Sequence, residues 1–187
     1  ELLPDALEIF RQSITSAPNA GMHIAPTIAV FPDGKEKISR SPHVSSNPHQ
    51  RFQDYLHKRL NISNGAVAMH RKLFKSLRFP DLKQTEDIPV FAAALTLADA
   101  IGLPQATTKI HKHSDSRRHN IDQALATGQS LINEIFDTGR LTEEYQKYRK
   151  PYIARRAMSM FRICYKNNNF SLARKYFHQA IKTNPLE

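Results

Sequence analysis

The sequence predicts an α/β fold followed by an all-helical extension, and three observations carry that prediction. Between Met22 and Ile110, short apolar runs alternate with stretches whose apolar residues recur at helical spacing. Turn chemistry such as Pro32-Asp33-Gly34-Lys35 punctuates that region, as strand reversals require. From Asn120 onward the spacing is helical only. A chain of 187 residues can bury one sizeable core and one small appendage. The division expected is therefore 1–118 for the α/β part and 119–187 for the helical part.

The elements follow in order. Leu2, Leu3, Ala6, Leu7, Ile9, Phe10 and Ile14 give a helical stripe, with Pro4 tolerated in the first turn and Ser16–Gly21 ending it. Met22–Phe31 reads as one strand. Residues 39–50 are polar, carry two prolines and read as a long loop, either a substrate-facing flap or a surface excursion. Phe52, Tyr55, Leu56 and Leu60 make Gln50–Leu60 helical. Ile62–Met69 reads as a strand containing Asn64-Gly65-Ala66, small residues expected where a ligand or another backbone comes close. Arg71–Leu77 is a short helix ended by Phe79-Pro80. A buried helix is predicted over Val90–Ile101, closed by Gly102, and a last strand over 105–110.

In the extension, Ile121, Ala124, Leu125, Leu131, Ile132, Ile135 and Phe136 form one stripe, broken by Thr138-Gly139. A further helix starts near Leu141 and is expected to break at Pro151. Residues 152–187 resemble a single tetratricopeptide-like hairpin, with Ala173, Phe177, Ala180 and Pro185 in that repeat's pattern and Ala157 departing from it. One copy does not make a solenoid.

Composition narrows the class. Apolar content of 40% and charged content of 24% are those of a globular chain. No run approaches the roughly 18 apolar residues of a membrane helix, and no secretory-signal pattern is present, so a cytoplasmic location is expected. The single Cys164 excludes an internal disulfide and a multi-cysteine zinc site. The net charge of +10 is uneven: residues 1–106 contribute +2 and residues 107–187 contribute +8. That field suits an anionic partner.

Three segments carry chemistry: Asn64-Gly65-Ala66-Val67-Ala68-Met69-His70-Arg71, then Thr85-Glu86-Asp87, then Lys109-Ile110-His111-Lys112-His113-Ser114-Asp115-Ser116. Their order resembles the second half of an inverting family-2 glycosyltransferase of the GT-A type. The resemblance covers about residues 1–120. It implies the C-terminal half of a Rossmann-like sheet with flanking helices. Glu1-Leu2-Leu3-Pro4-Asp5-Ala6-Leu7 resembles the Leu-Pro helix start that comes after the metal-binding Asp-x-Asp motif in that family. The nucleotide-binding half would then lie upstream, and this chain alone would be inactive. By the resemblance, Asp87 is the general base and Glu86 orients the site or contacts the acceptor. Asn64 and Gly65 lie beside a substrate, Ser116, Arg117 and Arg118 bind phosphate oxygens, and His113 completes the metal site. The cofactor implied is magnesium or manganese, held with the upstream Asp-x-Asp. The partners implied are a nucleotide-sugar donor and a glycan or lipid-linked acceptor, with peripheral contact to an anionic membrane compatible with the basic tail. The chain departs from the family at Ile110 and His111, where Tyr-Arg is common. All these groups are expected to converge on one cleft at one rim of the sheet.

Each feature also has a plainer reading. An acidic pair in a helix's first turn serves as a cap matched to its dipole. Asn64-Gly65 serves as a tight packing position, Arg71 and Lys72 as a solvated helix start, and His111 and His119 as members of a basic loop. Two other functions compete with sugar transfer. One is a basic nucleic-acid-binding module, disfavoured because the cations are scattered and no recognition motif is present. The other is a protein-interaction module built on the hairpin.

Overall fold

The computed structural model describes residues 1–82, 84–113 and 121–185, without the side chains of 121–126. The chain is mixed α/β with two small mixed sheets and a C-terminal helical region. It forms two compact units: Glu1–Arg78 with Val90–Ser116, and Phe79–Pro89 with Arg117–Glu187.

The first unit opens with α1, Ala6–Ser16, which buries Ala6, Phe10 and Ser13. The predicted strand 22–31 is two strands, β1 Met22–Ile24 and β2 Thr27–Val30. Pro26 explains the division, because it has no N–H to give to a ladder. The turn at Asp33-Gly34, with Gly34 at a φ of 80°, leads into β3, Glu36–Ile38. Helix α2, Pro48–Leu56, starts where Asn47 accepts hydrogen bonds from the amides of His49 and Gln50, with Pro48 at its first position.

Strand β4 spans only Val67–Met69, because Ser63–Ala66 is a turn closed by the Ala66 amide on the Ser63 carbonyl at 2.9 Å. A 3₁₀ turn, Arg71–Lys75, follows. Helix α3, Asp87–Leu97, stops before the predicted end, and Ala100–Gly102 is a strand, β5. Strand β6 is Thr108–His111.

One sheet has the order β4-β1-β5 and the other β3-β2-β6, with β1–β5 and β2–β6 parallel. Between the two parallel pairs, the Leu103 and Thr107 amides donate to the carbonyls of Ile24 and Pro26 at 2.8 and 3.3 Å. Two residues, 25 and 26, on one side thus face five, 103–107, on the other. On the free side of β6, residues 1–3 pair antiparallel: Leu2 bridges Thr108, and the Lys109 amide donates to the Glu1 carbonyl at 2.9 Å.

The core of this unit gathers on α3, where Val90, Phe91, Ala92, Ala93, Ala94 and Leu95 are all buried. A helix buried on every face has no polar stripe, which is why its sequence is continuously apolar. Backbone approaches are close as well. A Cβ at Gly102 would sit 1.8 Å from the Pro42 carbonyl oxygen, and one at Gly21 would sit 2.4 Å from the Ala98 Cβ. The 39–50 segment is therefore strapped against the end of β5, and Ser41 Oγ also reaches the Pro104 carbonyl at 3.3 Å.

In the second unit, α4 (Ile121–Phe136) is followed by a 3₁₀ turn (Glu143–Tyr148), α5 (Arg149–Lys166) and α6 (Phe170–Thr183). Pro151 does not interrupt α5, because it falls in the first turn, where the missing N–H is not needed. Asn168, at a φ of 59°, reverses the chain, and Asn169 caps α6 by accepting from the Leu172 amide at 3.2 Å. Ala157, Met160 and Cys164 of α5 are buried, as are Ala173 and Ala180 of α6. Small residues at the crossing let the two axes come close. Phe136 of α4 meets Tyr152 of α5 with ring centroids 6.0 Å apart. Among the described residues, no helix is long and apolar enough to cross a membrane.

Candidate functional site

Gly65 has a φ of 85° in the third position of the Ser63–Ala66 turn. That is the left-handed position a type II turn reserves for glycine. The expectation of a strand through Asn64-Gly65 is corrected accordingly: Asn64 is an exposed turn residue. The Gly65 carbonyl accepts a hydrogen bond from Thr108 Oγ1 at 2.6 Å, which ties the turn to the start of β6.

His113 lies beyond the other end of that strand. At about 3.3 Å per residue, the path from Thr108 to His113 is about 16 Å. Gly65 and His113 therefore occupy opposite ends of β6 and do not share one rim.

Around His113 the groups are polar and exposed. Its ring stacks on His111 at 6.4 Å with planes 17° apart, and His111 Nε2 lies 3.4 Å from Glu1 Oε2. On the same strand, Lys109 Nζ pairs with Glu36 Oε1 at 2.6 Å, and that carboxylate raises the lysine's pKa. Ser116, Arg117, Arg118 and His119 lie outside the described residues.

Glu86 and Asp87 belong to the 79–89 segment, whereas Asn64, Gly65 and His113 belong to the sheet-bearing unit. Asp87 is the first residue of α3 and is half-buried. Immediately before the pair, Thr85 has a φ of 61°. A β-branched side chain in the left-handed region is an outlier that costs of order 1–3 kcal/mol. Such strain concentrates where a functional group must be held in place. The periodicity of the sequence held no signal for it.

A metal ion needs several converging donors. Among the described residues, no group of three or more His, Cys, Asp or Glu side chains is arranged to hold one. His113 fits as a single ligand, and its companions would have to come from elsewhere. A shallow concavity of about 620 Å³ surrounds the β2–β3 turn, lined by Phe31, Asp33, Lys35 and Glu36. It holds none of the predicted site residues, and Lys35 there is already paired with Asp33 at 2.8 Å.

Two buried polar groups escaped the sequence reading. Arg51 of α2 donates to the carbonyls of Leu95, Ala98 and Ser46 at 2.6, 3.0 and 2.8 Å, and to Asp99 Oδ1 at 3.3 Å. A guanidinium at the end of α3 satisfies carbonyls that have no intrahelical partner. The Asp99 carbonyl accepts from the amides of Gly21 and Met22, so the same corner fixes the start of β1. His23 of β1 is buried with its Nδ1 2.7 Å from Ser13 Oγ. Burial lowers its pKa, against a hydrogen bond with Ala20 that acts the other way. Both groups build the fold.

Comparison of the chain with protein-family models, curated proteins and solved structures gives no match. The class is thus set by the fold alone, a mixed α/β unit joined in sequence to a helical unit.

Proposed function

We propose that this chain is the acceptor-side part of an inverting GT-A glycosyltransferase, with Asp87 as the general base. Three segments stand in the order that resemblance requires, and Asp87 opens a helix, as it requires. The observation that carries the reading is the edge of β6. Residues 1–3 run antiparallel along it, with Glu1 opposite Lys109 and Leu2 opposite Thr108. Residues encoded before Glu1 would continue along β6 past Ile110 and His111 towards His113. An Asp-x-Asp motif at that place would bring two carboxylates beside the exposed imidazole.

In this reading the acceptor hydroxyl attacks the anomeric carbon of the donor sugar, and its proton passes to the Asp87 carboxylate. The new C–O bond forms on the face opposite the leaving group. The bond from the anomeric carbon to the diphosphate oxygen breaks, and the nucleoside diphosphate departs. Glu86 orients the acceptor, and Ser116, Arg117 and Arg118 meet phosphate oxygens. Magnesium or manganese, ligated by the upstream acids and His113, would supply positive charge against the departing diphosphate. Asn64 and Gly65 shape the turn at the far end of β6.

Asp87→Asn tests the assignment in a polypeptide carrying this chain together with its nucleotide-binding half. The expected result is a loss of transfer of roughly 10²–10⁴-fold, the usual worth of a positioned base, with nucleotide affinity and folding unchanged. Transfer at close to the parental rate would remove Asp87 as the base.

A further inference from the structure

The α5–α6 hairpin combines two features that sugar transfer does not use. From Arg149 to Thr183 it contains nine Lys and Arg residues and no Asp or Glu. Arg149 is engaged by Asp137 of the preceding turn at 2.8 Å. One face of the hairpin also carries large apolar side chains in the open: Tyr165 is 57% exposed, Phe170 57%, Phe177 39% and Ile181 48%.

These side chains form one patch. Tyr165 meets Phe170 edge-on at 5.5 Å, and Phe161 meets both Phe177 at 5.5 Å and Tyr165 at 5.8 Å. Phe170, Phe177 and Ile181 follow the seven- and four-residue spacing that keeps them on one side of α6. Arg174 falls on that side between Phe170 and Phe177, and Arg162 precedes Tyr165 by one turn of α5.

We infer that this face docks on an anionic lipid surface. Aromatic rings settle at the headgroup level of a bilayer, and Lys and Arg beside them meet the negative potential of anionic lipids. The cations of α5 lie all around that helix, and only a diffuse planar field draws on those beyond the ones lining the patch. An acidic peptide would be read by the bordering cations alone. Single-stranded nucleic acid would need exposed ring faces, whereas these rings already pack on one another. The inference stands independently of sugar transfer.

The test is sedimentation of the full 187-residue chain with vesicles. The chain should bind phosphatidylcholine vesicles containing phosphatidylserine and not vesicles of phosphatidylcholine alone. Phe170→Ser with Phe177→Ser should weaken that binding about tenfold or more, from the apolar area withdrawn. The Phe170→Leu, Phe177→Leu pair should retain most of it. Equal helicity of the two pairs by circular dichroism would assign the loss to the surface. Exchange of Arg162, Lys166 and Arg174 for Gln should weaken binding roughly a hundredfold. Unchanged binding by the serine pair would mean adhesion by charge alone and would overturn the inference. So would equal binding to neutral vesicles, binding to none, or binding only to a single-stranded oligonucleotide that the same substitutions abolish.

Discussion

The sheet-bearing unit and the helical hairpin hold themselves together differently. In the first, backbone meets backbone at Gly102 and Pro42, and buried polar side chains such as Arg51 and His23 fasten one element to the next. In the second, Ala157, Ala173 and Ala180 let two helices pack closely, while aromatic rings stay on the surface. The first arrangement fixes geometry, and a site for chemistry needs fixed geometry. The second leaves apolar area over, and area left exposed is free for a partner.

That contrast can be broken, and Arg51 is the place to begin. Arg51→Ala removes the donor from the buried Leu95 carbonyl and from those of Ala98 and Ser46, and empties the space of a buried side chain. The unpaired Leu95 carbonyl alone costs about 1–3 kcal/mol. The expected loss of stability is about 4 kcal/mol in urea unfolding. Change at the level of a typical surface substitution, about 0.5 kcal/mol, would show that water replaces the guanidinium and that the corner is not fastened as described.

Gly102→Ala comes next. Its Cβ would meet carbonyl backbone rather than a flexible side chain, so the strap at Pro42 or strand β5 must move. A loss near the upper end for overpacking, about 3 kcal/mol, is expected from the thermal midpoint. Small-to-large exchange at an exposed hairpin position should cost far less, and equal costs would erase the distinction between the units.

The smallest effect is that of pH. Burial holds the His23 pKa below its ordinary 6.5, so the folded chain resists a proton that the unfolded chain accepts. Stability is therefore full above pH 6.5 and falls as pH drops below it towards the folded pKa. His23→Gln keeps a hydrogen-bonding group for Ser13 and removes the titration. The parent's melting temperature should fall more steeply than the variant's from neutral to mildly acidic pH. Parallel curves would show that His23 titrates as it does in the unfolded chain.

Much of the architecture was legible in the sequence. Phe52, Tyr55 and Leu56 announced a helix, though its start at Asn47-Pro48 reads as loop. Asp33-Gly34 announced a reversal, and the continuous apolar run from Val90 a buried helix. The failures share one cause, which is that local pattern says nothing of what a distant residue contributes. The strand 22–31 breaks at a visible Pro26, but the five residues facing that break are 103–107. Helix α3 ends at Leu97 where Arg51, far away in sequence, takes its terminal carbonyls. Asn64-Gly65 was misread although that pair is a turn signature, because neighbouring alanines and Val67 suggested a strand. Of the candidate site, the residue types and their order were legible, while the opposite placement of Gly65 and His113 on β6 required the register. Arg51 and Thr85 left no local signal, since burial of a cation and a left-handed backbone are decided by tertiary contacts.

The proposed sugar-transfer reading rests on the pairing of residues 1–3 with β6. The most direct measurement adds manganese(II) to a polypeptide extended upstream of Glu1 and follows paramagnetic broadening of its histidine signals. The account predicts that the His113 ring signals broaden first, at metal levels that leave exposed His43 and His178 sharp. Broadening of His43 or His178 with His113 untouched would contradict it.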